Sequence, residues 1–209
     1  MLKDKRGQRM KTDNMTDETQ QKKVSIKALL IKEGVLVPSS EDIEGLSSRG
    51  YGRPDDRGLI LNFYEALYLL SKGIIEIIDE ETNENVTFQS LLRKFRSINE
   101  DAWVKFLIYR DLRSRGYAVR EGFGFGIDFR VYERGEYGKD AADYLVFGIQ
   151  EGKPVTVEDL AKTLKYVQNL KKKLILAVLN RRGELVYYSL SQFQPYNETQ
   201  IEGDKSAET

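Results

Sequence analysis

Between residues 102 and 190 the apolar positions switch repeatedly from helical to strand-like spacing, and this alternation limits the possible folds more than any other feature. Residues 102–115 place Trp103, Phe106, Leu107 and Leu112 on one helical face and Lys105, Arg110, Arg113 and Arg115 on the solvated side. Gly116 stands where such a helix would stop. Strands are expected at 118–121, 127–132 and 144–149. A second helix opens at Thr156, with Asp159 completing a capping box, and Val157, Leu160, Ala161, Leu164, Val167 and Leu170 recur as its packing stripe. Strands at 174–179 and 184–190 then flank an Arg181-Arg182-Gly183 turn. An α-β-β-β-α-β-β order requires a mixed sheet with helices laid against it, an α/β (α+β) fold.

The first half reads as a smaller α/β unit. Apolar runs at 24–31 and 35–37 are split by a Glu33-Gly34 turn, and residues 38–58, rich in Gly, Ser, Asp and Pro, are expected to form a loop. Asn62 and Glu65 form a capping pair for a helix that Gly73 ends. A strand at 74–78 and a helix at 88–95 follow, and the polar stretch 96–101 marks a boundary. The expected division is a disordered extension at 1–23, domains at 24–96 and 97–194, and a disordered acidic tail at 195–209.

Composition removes several function classes. The chain has no cysteine and no histidine, which excludes disulfides and thiolate sites and leaves no zinc ligand set; no metal or other cofactor is expected. Thirty-three basic residues balance 33 acidic ones, which argues against a general nucleic-acid coat. The basic N-terminal stretch reads first as a solvated tail. No apolar run is long enough for a membrane span, so a cytoplasmic protein is the default.

The segments Arg115-Gly116-Tyr117, Gly126-Ile127-Asp128-Phe129-Arg130-Val131-Tyr132-Glu133-Arg134-Gly135 and Ala141-Ala142-Asp143-Tyr144-Leu145-Val146 together resemble the catalytic half of the archaeal tRNA-splicing endonucleases. The resemblance covers about residues 24–193, more loosely in the first half through Gly50-Tyr51-Gly52-Arg53 and Glu65-Ala66-Leu67-Tyr68-Leu69-Leu70. It implies a restriction-endonuclease-like second domain and a precursor tRNA substrate cut at a bulge-helix-bulge. It further implies metal-independent attack by the 2′-OH, leaving a 2′,3′-cyclic phosphate and a 5′-OH. Such chemistry needs a base for the 2′-OH proton, an acid for the leaving oxygen and a cation for the crowded phosphorane. The resemblance assigns the base to Tyr132, the cation to Lys172 and the acid, a histidine in the family, to Ala141. Its RNA-clamping arginine corresponds to Lys165, and Lys171 and Lys173 flank Lys172 as further RNA-binding candidates. A dimer or tetramer, homo- or hetero-oligomeric, is implied, built through the last strand, Val186-Tyr187-Tyr188-Ser189-Leu190. The family's acidic docking loop corresponds to Gln150-Glu151-Gly152-Lys153-Pro154, which carries one acid and one base.

Each residue also has a plainer reading. A tyrosine at a strand end is commonly packing with a wet hydroxyl, and three lysines after a helix are favourable charge at its C-terminus. Gly122-Phe123-Gly124-Phe125-Gly126 reads as a twisted hairpin or bulge. Alanine transfers no proton, and losing the acid alone costs roughly 10²–10⁴-fold in rate. Asp140 and Asp143 lie beside the gap, but an exposed carboxyl is ionised at neutral pH. The expectation is therefore an inactive or impaired catalytic subunit, or a purely structural subunit of a heteromeric enzyme. A different alternative is a Mg²⁺-dependent restriction-type nuclease using Asp128, Glu151 and Lys153.

Overall fold

A computed structural model describes residues 25–193; the expected extension and acidic tail lie outside them. The first half contains β1 (Ile26–Ile31), β2 (Gly34–Val37), α1 (Ser40–Ser47), β3 (Arg53–Asp55), β4 (Gly58–Leu61), α2 (Phe63–Ser71), β5 (Ile75–Asp79) and α3 (Phe88–Ile98). The second contains α4 (Ala102–Ser114), β6 (Ala118–Glu121), β7 (Phe129–Tyr132), β8 (Tyr144–Gln150), α5 (Val157–Asn169), β9 (Lys173–Leu179) and β10 (Leu185–Leu190). Each half builds a five-stranded mixed sheet, in the orders β3-β4-β2-β1-β5 and β10-β9-β8-β7-β6. The parallel pairs are β1 with β5 and β8 with β9.

The 38–58 loop expected from composition is a correction: it holds α1 and β3. Only buried Leu46 and half-buried Ile43 anchor α1, too few apolar residues to outweigh the turn-like composition. In α4, Phe106, Leu107 and Leu112 are buried as expected, but Trp103 is 40 % exposed. The stripe on α5 is also thinner than its spacing suggests. Val167 is buried from it, whereas Val157 is 81 % exposed, because the helix covers the sheet mainly at β9.

One buried core runs through both halves, from Ala28 and Leu61 to Phe129 and Ala177. At its centre the Tyr64 ring of α2 meets Tyr109 of α4 at 4.9 Å and Phe129 of β7 at 5.2 Å. A polar clasp reinforces this contact. Arg120 donates to the carbonyls of Gly50 and Gly52 at 3.0 and 2.6 Å and lies 3.6 Å from the buried Glu65 carboxylate. Arg113, expected on a solvated face, instead lies 3.7 Å over the Tyr51 ring and donates to the Arg49 carbonyl.

Candidate active site

Register brings the predicted site together. Val131 of β7 sits opposite Tyr144 of β8, and Tyr144 opposite Lys173 of β9, so Tyr132 and Lys172 emerge at one end of the sheet. Asp143 ties the two: its amide donates to the Val131 carbonyl, and its carbonyl accepts from the Lys173 amide. A cleft of about 210 Å³ opens there, with Tyr132, Ala141, Lys172, Arg130 and Phe123 on its walls and Leu145 and Ala142 among its apolar lining.

Each side chain is placed by a local device. Lys172 follows a Schellman turn, in which the Lys171 amide donates to Gln168 and the Lys172 amide to Val167. Lys171 holds the left-handed position of that turn at φ +55°. Tyr132 is half-buried, with its ring edge-on to Tyr137 at 5.2 Å. Tyr137 in turn packs on the first half of the chain, since a Cβ on Gly50 (φ +75°) would stand 3.2 Å from its ring. The tyrosine in the cleft is thus braced by Gly50, 82 residues upstream.

The profile of the tRNA intron endonuclease catalytic C-terminal domain matches residues 102–187, and that of the tRNA intron endonuclease N-terminal domain matches residues 26–92. The chain is 32% identical over 168 residues to the tRNA-splicing endonuclease of Methanococcus vannielii, covering 80% of this chain and 94% of that protein. The chain belongs to the tRNA-splicing endonuclease family. The tRNA-splicing endonuclease of Pyrococcus furiosus is 34% identical over 143 residues, covering 68% of this chain and 81% of its own length. Among solved structures, a Holliday junction resolvase from Archaeoglobus fulgidus aligns at a TM-score of 0.35 and 10% identity, covering 46% of this chain and 80% of that one.

Within this splicing-endonuclease chain, the cleft gathers the three positions expected from sequence and adds two that were missed there. Arg130 alternates with Tyr132 on β7, so both face the same way, a period-two signal available in the sequence. It donates through Nε to the Glu121 carbonyl at 2.9 Å and lies 5.4 Å from the Phe123 ring. Phe123 belongs to the expected hairpin, the connection between β6 and β7. Lys165, Lys171 and Lys173 are exposed and outside the cleft walls, with Lys173 set over the Tyr144 ring. Neither Asp140 nor Asp143 is a wall residue.

Asp128, Glu151 and Lys153 are each held by a different partner. Asp128 pairs with Lys105 at 3.0 Å and accepts from the Gly148 amide. Glu151 accepts from the Arg181 backbone, and Lys153 bridges Glu100 and Asp101. These contacts also tie the expected docking loop to its own chain. Among the described residues no cluster of three or more His, Cys, Asp or Glu side chains forms a metal site, and no helix is long and apolar enough to cross a membrane.

Proposed function

We propose that this chain is a cytoplasmic subunit of a tRNA-splicing endonuclease that binds intron-containing precursor tRNA at a bulge-helix-bulge and is impaired in cutting it. The observation that carries this reading is the cleft shared by Tyr132, Lys172 and Ala141. Tyr132 takes the 2′-OH proton, and Lys172, aided by Arg130, stabilises the phosphorane. At Ala141 there is no group to protonate the leaving 5′-oxygen, so the second proton transfer has no donor. Residues 24–96 and 97–194 act as two domains around a common core. Subunits associate through β10, an edge strand whose Val186 and Tyr188 are exposed and whose outer backbone edge has no partner strand among the described residues.

The test is cleavage of a bulge-helix-bulge precursor in EDTA by the chain as it stands, by Ala141→His and by Ala141→His with Tyr132→Phe. Ala141→His is expected to gain roughly 10²–10⁴-fold and leave cyclic phosphate ends, and the second change is expected to remove that gain. If Ala141→His binds the RNA but does not cut it, the purely structural subunit is the better reading. Cleavage that appears only with Mg²⁺ and is lost in Glu151→Ala would revive the metal-dependent alternative.

A further inference from the structure

Beside the cleft stands an aromatic wall that neither the core nor the proposed chemistry uses. Phe125 and Phe123 are 60 % and 39 % exposed, an unusual fate for two phenylalanines on one short connection. Both rest on the Tyr166 ring of α5. Phe125 stacks on it at 4.2 Å and 25°, and Phe123 meets it nearly edge-on at 6.1 Å.

The placement is built, not incidental. Phe125 adopts φ +52°, a backbone conformation costly for a side chain with a Cβ. It is held there by the Thr163 hydroxyl, which is buried with its residue and donates to the Phe125 carbonyl at 2.8 Å. The neighbouring Gly126 lies flush on Phe147, where a Cβ would approach the ring to 2.3 Å. Phe125 therefore forms one wall of a second cleft of about 390 Å³, whose other lining includes Phe147, Pro154, Val155 and Lys162.

The two clefts share this wall. Phe123 faces the one holding Tyr132 and Lys172, and Phe125 faces the other. With the rings 6.1 and 4.2 Å from Tyr166, they stand within about three nucleotide steps of one another at the ~3.4 Å spacing along a strand. The cations nearby are Arg130 over Phe123 and, on α5, Lys165 next to Tyr166 and Lys162, which lines the second cleft and pairs with Glu158 at 2.7 Å. Flat exposed rings with cations at the rim suit an unpaired nucleobase, which offers a π-face to the ring and a phosphate to the cation.

We infer that Phe125 is a stacking platform for an unpaired base of the RNA whose backbone occupies the Tyr132 cleft. This rests on the reading of that cleft as an RNA site. A base seated between Phe125 and Phe147 holds its strand splayed away from the helical stack and fixes which phosphate reaches Lys172.

The test uses bulge-helix-bulge RNAs carrying 2-aminopurine at each unpaired position in turn, with the full chain and its Phe125→Leu and Phe125→Tyr variants. In the unaltered chain, binding is expected to change the fluorescence at one bulge position. Phe125→Leu, which keeps apolar bulk but no ring, is expected to lose that change and roughly 5- to 100-fold in affinity, while Phe125→Tyr keeps both. Equal affinity and equal fluorescence for Phe125→Leu would overturn the platform alone. Failure of the unaltered chain to bind any of these RNAs at low salt would overturn the RNA site and the platform with it. If Phe125→Leu instead changes the sedimentation of the RNA-free protein, the rings are a protein contact and the inference is wrong.

Discussion

Glu65 shows how much one carboxylate can be asked to hold. It is 1 % exposed, yet it accepts from the Asn62 amide at 2.8 Å and from the Gly52 amide at 3.2 Å, and it faces Arg120. Burial pushes its carboxyl up to about 7 from the usual 4.5, against the lowering pull of those amides and of the arginine. The folded state therefore binds the extra proton between these two values, and stability falls as pH rises across that window. The contribution is complete below about pH 4.5 and is lost as pH passes through about 7. Thermal melts of the chain and of Glu65→Gln from pH 5 to 8 should show the unaltered chain losing on the order of 3 kcal/mol relative to the variant. Parallel curves would show that Glu65 does not titrate in this range. The Asn62–Glu65 capping pair was legible in the sequence because its partners are three residues apart. Arg120, 55 residues downstream, was not, since no local pattern announces a contact between α2 of the first half and β6 of the second.

Among the elements, the turn from α5 into β9 shows the same division. Capping chemistry and spacing located the helix and the following strand. The left-handed Lys171 was hidden because glycine is the usual signal for that position and is absent here. An L-residue in this conformation costs ~1–2 kcal/mol, and glycine returns part of that as lost chain entropy. Lys171→Gly should therefore raise Tm by about 1–3 °C, whereas Lys171→Val, β-branched at positive φ, should lower it. Calorimetry of both variants checks this; a fall in Tm for the glycine variant would count against the Schellman geometry. The exposure of Val157 and Trp103 has a related cause. Periodicity reports which residues share a helical face, but how much of that face is covered depends on the width of the sheet beneath it.

For the whole molecule, the assembly proposed above rests on the open edge of the second sheet. Along β10, Tyr187 turns inward to donate to Asp111 at 2.8 Å, while Val186 and Tyr188 point outward. A charge in the outward row opposes strand pairing and apolar contact at the edge. Tyr188→Glu should shift sedimentation velocity toward smaller species with the fold intact by circular dichroism; an unchanged sedimentation profile would place the interface elsewhere. The positions that line the candidate cleft were largely readable, because Tyr132, Ala141 and Lys172 lie in recognisable segments that the sheet register then unites. The bracing of Tyr132 from Gly50 through Tyr137 was not, since it depends on how the two halves dock. That docking also bears on how such chains can recombine. A chimera joining the first half of one relative to the second half of another would inherit one side of every contact in the clasp. Its Glu65 counterpart could be sealed inside without a cation, which pushes the carboxyl further up and leaves it protonated at neutral pH, with no charge to hold the second half. Viable crossovers are those in which residues 49–65 and 113–120 travel as a single hereditary unit, although they are distant in the chain.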